Sequence, residues 1–183
     1  MPKTIRRTAV TGSLLAAAVA LSGCGWWTGE TREIVVQRGC PGAGILPDAA
    51  MLIEYQGPGR DILDVTYRWE LIDAAARCIY DDNIVQVEYG FSLEVLLGPA
   101  ARQSVRTAPV FIALTRGGET VIEKRIVEME AVFAEGEGGA TYTRVFDDME
   151  FDVGEEDGRI YTIVVGFQLT PEQLAENRRR AGL

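Results

Sequence analysis

Between Ile84 and Gly98 the chain reads IVQVEYGFSLEVLLG, with an apolar residue at every second position. Val85, Val87, Tyr89, Phe91, Leu93, Val95 and Leu97 share one parity, and Gln86, Glu88, Ser92 and Glu94 hold the other. Period two sends successive side chains to opposite faces of an extended strand, so one face is buried and the other is wet. Val65, Tyr67, Trp69 and Leu71 alternate with Thr66, Arg68 and Glu70 in the same way. Asp81-Asp82-Asn83 separates two strand-like runs, which predicts a hairpin.

Further strands are expected at Ala50 to Tyr55, Pro109 to Leu114, Val121 to Phe133, Thr141 to Phe151 and Ile160 to Leu169. Turn signals stand between them: Gln56-Gly57-Pro58-Gly59, Gly117-Gly118, a Gly-rich stretch from Glu135 to Gly139, and an acidic one from Gly154 to Gly158. About seven strands with no long helical pattern predict a mainly β fold. The expectation is a single antiparallel β-sandwich of immunoglobulin or fibronectin type, with an incomplete barrel as the alternative. One helix closes the chain, over 171–179. Thr170 is its N-cap, Pro171 its first residue, Gln173 the return arm of a capping box and Gly182 the stop. Arg178, Arg179 and Arg180 suit the negative end of the helix dipole. The helix reads as a cap on the sandwich, with a docking handle as the alternative.

The N-terminus has a different composition. Lys3, Arg6 and Arg7 precede an apolar run from Ala9 to Leu21, broken by Thr11, Gly12 and Ser13. The run is shorter than the roughly 20 apolar residues that span a bilayer. The layout is that of a secretory signal peptide. Leu21-Ser22-Gly23-Cys24 resembles the lipobox of bacterial lipoprotein precursors. That resemblance implies cleavage after residue 23 and lipidation of Cys24, with Cys24 as the first mature residue. The expected organisation is a signal peptide at 1–23, a lipidated N-terminus and tether at 24–39, and the sandwich domain at 40–183. Gly25 follows the cysteine where an inner-membrane retention signal would place Asp, which favours the outer membrane, facing the periplasm. Trp26 and Trp27 suit a headgroup interface or a packed linker.

Removing residues 1–23 strips three basic residues and takes the net charge from −9 to −12. So acidic a surface excludes nucleic acid as a natural partner and disfavours broad adsorption to anionic lipid. Cys40 and Cys78 remain, and in an oxidising envelope two leftover cysteines most simply form one disulfide. The mature chain also resembles a group of Gram-negative envelope lipoproteins with no assigned activity. The resemblance rests on Cys40-Pro41, Arg60-Asp61 before a strand, Cys78 inside the sheet, and the ending GFQLTPEQLAENRRR. It supports the same cysteine pairing.

The chain contains no histidine, which removes Ser-His-Asp and Cys-His catalysis, His-ligated zinc and histidine proton shuttles. Carboxylates cluster at Asp81-Asp82, at Asp147-Asp148 with Glu150 and Asp152, and at Glu155-Glu156-Asp157. Such groups can hold calcium or act as an acid–base pair, but none has EF-hand spacing. Two of the clusters fall where strands turn, the usual place for solvated acids. Gly136, Gly138 and Gly139 lack the Lys-Ser/Thr of a phosphate loop, and Ser92 and Ser104 have no visible base. No catalytic residue, metal or cofactor is expected. The expectation is a lipid-anchored, non-enzymatic module that binds another envelope protein. A small-ligand carrier, with a pocket between the sheets or under the C-terminal helix, is the alternative, and an enzyme using carboxylates is a remote one.

Overall fold

The computed structural model describes residues 38–102 and 105–182. The expected signal peptide, Cys24, Trp26, Trp27 and Ser104 lie outside the described residues. Eight strands and one helix follow in order among the described residues. They are β1 (Gly42–Ile45), β2 (Met51–Tyr55), β3 (Val65–Asp81), β4 (Ile84–Leu97), β5 (Val105–Arg116), β6 (Thr120–Val132), β7 (Gly139–Asp152), β8 (Tyr161–Phe167) and α1 (Pro171–Ala181).

Two four-stranded sheets, ordered β1-β8-β5-β6 and β2-β3-β4-β7, pack face to face as a β-sandwich. The alternation in β4 is realised residue by residue: Val85, Val87, Tyr89, Phe91, Leu93 and Val95 are all buried. They meet Val110, Ile112, Leu114, Ile163, Val165 and Phe167 of the other sheet in one continuous core. The predicted hairpin is β3–β4, with Asp82 in a left-handed conformation (φ 52°) that short polar side chains tolerate.

Two features add detail to the expected sandwich. The sandwich is not wholly antiparallel, because β1 pairs in parallel with β8, from Gly42 opposite Thr162 to Ile45 opposite Val165. Half of β1 is glycine, so it shows no alternation that a sequence reading could find. The strand order also differs from that of immunoglobulin domains, whose first two strands share a sheet. Here β2, β3 and β4 form a meander in one sheet, β5 and β6 a hairpin in the other, and β7 and β8 each cross over.

β3 runs ten residues beyond Leu71, through Ala74-Ala75-Ala76-Arg77, a stretch of good helix formers. Pairing with β4 overrides that propensity. The register shifts between Leu71 and Asp73, making Ile72 an extra residue on one strand. Such a bulge reverses parity. Before it, Tyr67, Trp69 and Leu71 face the core; after it, Ala74, Ala76, Cys78 and Tyr80 do.

The helix matches its predicted start and runs two residues further than expected, to Ala181. Thr170 and Gln173 form the capping box, and Gly182 (φ 72°) is the left-handed stop.

Candidate functional site

β2 reads MLIEY, apolar on both parities, which signals a strand with both faces covered. Leu52 supplies the inner face and is buried in the core. Glu54 also points inward: it accepts from Trp69 Nε1 at 3.0 Å and pairs with Arg106 at 2.5 Å. Met51, Ile53 and Tyr55 turn to the outside of the sheet, where they line an open, mostly apolar trough of about 770 Å³.

The other walls of the trough come from four places. Val65, Arg68 and Glu70 project from the start of β3. Leu96 and Leu97 end β4, and Gly98 and Pro99 follow. Gly98 is forced to be glycine, since a Cβ there would run into the Val65 carbonyl. Ile62 stands on a one-turn 3₁₀ helix closed by a reciprocal Asp61–Asp64 capping box, and it is 75% exposed. Asn177, Arg180 and Ala181 overhang from α1.

The charged residues of this trough are three arginines and one glutamate, in a chain of net charge −9. Arg68 pairs with Glu70 at 2.6 Å. Arg180 bonds Glu176 at 2.8 Å and the Tyr55 hydroxyl at 2.7 Å. Hydrogen bonds from Arg180 and then Arg179 hold the Glu176 carboxyl below its usual range. Arg60 lies over the Tyr55 ring, 4.9 Å from its centroid, and donates to the carbonyls of Gly59 (2.7 Å) and Pro58 (3.3 Å). Among the described residues, no carboxylate pairs with Arg60. A second trough of about 620 Å³ opens along the other flank of α1, sharing Met51, Ile53, Tyr55, Arg60 and Asn177. Glu172 and Glu176 give it an acidic wall.

Polar contacts hold the helix over these troughs, for α1 has no buried residue. Asn177 Nδ2 donates to the carbonyls of Asp48 (3.0 Å) and Met51 (2.7 Å), and Arg178 pairs with Asp48 at 2.9 Å. Asn177→Ala is expected to cost about 1 kcal/mol. Amide exchange should then quicken across 171–181 while β4 keeps its protection. Unchanged exchange in the helix would show that Asn177 is not its clasp.

Several members of the acidic clusters are engaged in contacts that hold turns and strands together. Asp82 belongs to the β3–β4 turn, where Arg38 donates to its carbonyl (3.4 Å), to Asn83 Oδ1 (3.0 Å) and to the Gly154 carbonyl (3.0 Å). Asp147 and Asp148 sit in a second bulge, on β7, and not in a turn. Asp148 crosses to Arg125 on β6 at 2.5 Å, and this guanidinium also bonds the Tyr89 hydroxyl and lies 4.7 Å from the Phe146 ring centre. Arg125 holds the Asp148 carboxyl below its usual range. Burial pushes the Tyr89 phenol up to about 12, so it stays protonated at neutral pH. Nearby, the Tyr142 hydroxyl accepts from the Val132 amide and donates to its carbonyl, both at 2.8 Å. These contacts clasp the edge strands β6 and β7 across the sandwich. Glu156 pairs with Arg116, and Asp157 with Arg159 at 2.7 Å. Glu150 accepts from Gln86 at 3.0 Å, and Asp152 from the Gly154 amide at 2.7 Å. Ser92 bonds only Thr143 among the described side chains, at 2.8 Å. Among the described residues no three His, Cys, Asp or Glu side chains converge as a metal site.

Cys40 and Cys78 are disulfide-bonded, with Cα atoms 5.6 Å apart. Sequence reasoning named this pair, the acidic clusters and, in the carrier alternative, a pocket under the C-terminal helix, but did not assign the trough its residues. Its signals were the double-sided apolarity of β2, the Val95-Leu96-Leu97 run, and Ile62-Leu63 in a turn. Comparison with protein-family models, with curated proteins and with solved structures finds no match to this chain.

Proposed function

We propose that this protein is a lipid-anchored, non-enzymatic module of the bacterial envelope that holds a segment of another envelope protein in the trough beside α1. The anchor is Cys24, in the outer membrane, with the domain in the periplasm. The observation that carries this reading is where the trough lies. The expected tether ends at Gly39, whose carbonyl accepts from Tyr80 at 2.7 Å, and Arg38 beside it is bonded at the β3–β4 turn. The trough is at the opposite end of β3, around Val65. Fifteen residues of strand separate Tyr80 from Val65, about 50 Å at roughly 3.3 Å per residue. A chain tethered through Arg38 thus presents its trough away from its point of attachment. Confinement at a membrane raises the effective concentration of any co-anchored partner, so a modest interface suffices.

The carrier reading has one observation in its favour: the trough volume lies in the range of about 300–1,000 Å³ usual for small-ligand sites. Against it, such sites enclose most of their ligand, whereas this trough is open and the space between the sheets is filled by the core. Photo-crosslinking in intact native cells separates the two. A photoreactive residue at Met51 should give one stoichiometric protein adduct. The same residue at Ile79, exposed at the far end of β3, should not. Equal adducts from both positions would reject the trough as the binding surface. A small molecule captured at Met51 with no protein adduct would establish the carrier.

A further inference from the structure

β2 is an edge strand, and half of its main chain faces away from β3. The Ala50 carbonyl accepts from the Leu71 amide at 2.9 Å, and the Gln56 amide donates to the Asp64 carbonyl at 2.7 Å. Leu52 and Glu54 lie opposite Trp69 and Tyr67, in phase with the Ala50–Leu71 pair. In an antiparallel ladder every second residue bonds the neighbouring strand, and those between point their N–H and C=O the other way. Met51, Ile53 and Tyr55 are the residues between. The Met51 carbonyl is taken by Asn177. By this phase the amide and carbonyl of Ile53 face away from β3, and Ile53 lines both troughs.

We infer that β2 is a docking edge, and that its occupant is an extended segment of a partner protein with alternating apolar residues and a single carboxylate. The inference rests on the protein-binding function proposed above and gives that partner its chemistry. The segment adds to the sheet as a strand beyond β2, through main-chain hydrogen bonds to Ile53 and its edge neighbours. Side chains of one parity lie on the outer face beside Ile53, at the rim of the apolar trough. The carboxylate on that face meets Arg60, which Tyr55 and two carbonyls already hold in place. Pre-set geometry lowers the ordering cost of binding. The occupant carries one acid and not a run of them, because Glu172 and Glu176 line the far wall and the whole chain is acidic. An anionic acyl chain fits less well: it makes no use of the main-chain groups, and the open trough leaves much of it in water.

The test uses the full lipidated chain in neutral phospholipid nanodiscs. The probes are synthetic octapeptides of alternating valine and threonine with one glutamate near either end, and the same peptides with glutamine. The better glutamate peptide is expected to bind roughly fivefold tighter than its glutamine twin, the scale of one exposed charge-assisted contact. Arg60→Gln should erase that difference, so that the two peptides bind the variant equally. Binding should slow hydrogen exchange at Ile53 and Tyr55. A peptide N-methylated at alternate residues, at the nitrogens that would face β2, should lose at least tenfold, because edge pairing needs those N–H groups. Equal affinity of the glutamate and glutamine peptides, or indifference to N-methylation, would overturn the inference. Displacement of the peptide by laurate with no exchange protection at Ile53 would also overturn it. A protein adduct at Met51 in cells combined with peptide failure would leave the proposed function standing and reject only this occupant.

Discussion

Changing Cys24 to alanine is expected to leave the chain without lipid, uncut after Gly23 and out of the washed membrane fraction. The effect is all-or-none because the thiol is the only atom on which this lipid chemistry can begin. Each buried CH₂ contributes about 0.8 kcal/mol, and stable anchoring needs two acyl chains, which a lipidated cysteine carries. No helix among the described residues is long and apolar enough to cross a membrane. Cut after Gly23 as proposed, the chain would lose three basic residues and carry a net charge of −12, so anionic headgroups would repel it. The described residues bury a core of their own, so a leaderless Cys24→Ala chain should melt with the leaderless wild type. Metabolic labelling with an alkyne fatty acid checks the chemistry, and carbonate-washed membranes check the partition. Persistent labelling of the alanine variant would remove the lipoprotein reading and the membrane half of the proposed function with it.

What the sequence revealed about this fold follows the range of each signal. Alternation in β4 is a property of neighbouring residues, and it identified every inward side chain from Val85 to Val95. The α1 capping box is equally local, spanning Thr170 to Gln173. The hairpin turn at Asp81-Asp82-Asn83 implied a strand up to it, although Ala74-Ala75-Ala76 has no intrinsic preference for one; it is extended because β4 lies beside it. The bulge at Ile72 was hidden, since one extra residue shows only against a partner strand. β1 was invisible because a strand half made of glycine has no side-chain period. The trough depended on more distant relations still. It joins β2, the ends of β3 and β4, and a helix more than 100 residues away. Each piece shows locally as unexplained apolarity, at Ile53, Ile62 and Leu96, and only the tertiary arrangement makes one surface of them.

Replacing Cys40 and Cys78 together with serine is expected to lower stability by about 4 kcal/mol, because their bond closes a loop with a sequence separation of 38. For a domain of this size that corresponds to a fall in Tm of roughly 10–15 °C. The value reflects position as well as loop length. Cys78 faces the interior only because the Ile72 bulge has reversed the parity of β3; without it, the side chain would point to solvent. Cys40 lies two residues before β1, the edge strand of the opposite sheet, so the bond ties the two sheets together. β1 is only four residues long and half glycine, a weak element to leave at an edge. The Tyr80–Gly39 hydrogen bond and the Arg38 contacts cannot replace the bond, since they end on the same short segment and form only when it is already in place. In the double variant β1 should therefore loosen from β8 before the core melts, giving early exchange at Gly42–Ile45. Calorimetry and exchange mass spectrometry on the leaderless chain read both effects. A Tm within a few degrees of wild type would mean that β1 is held by its parallel pairing with β8 alone.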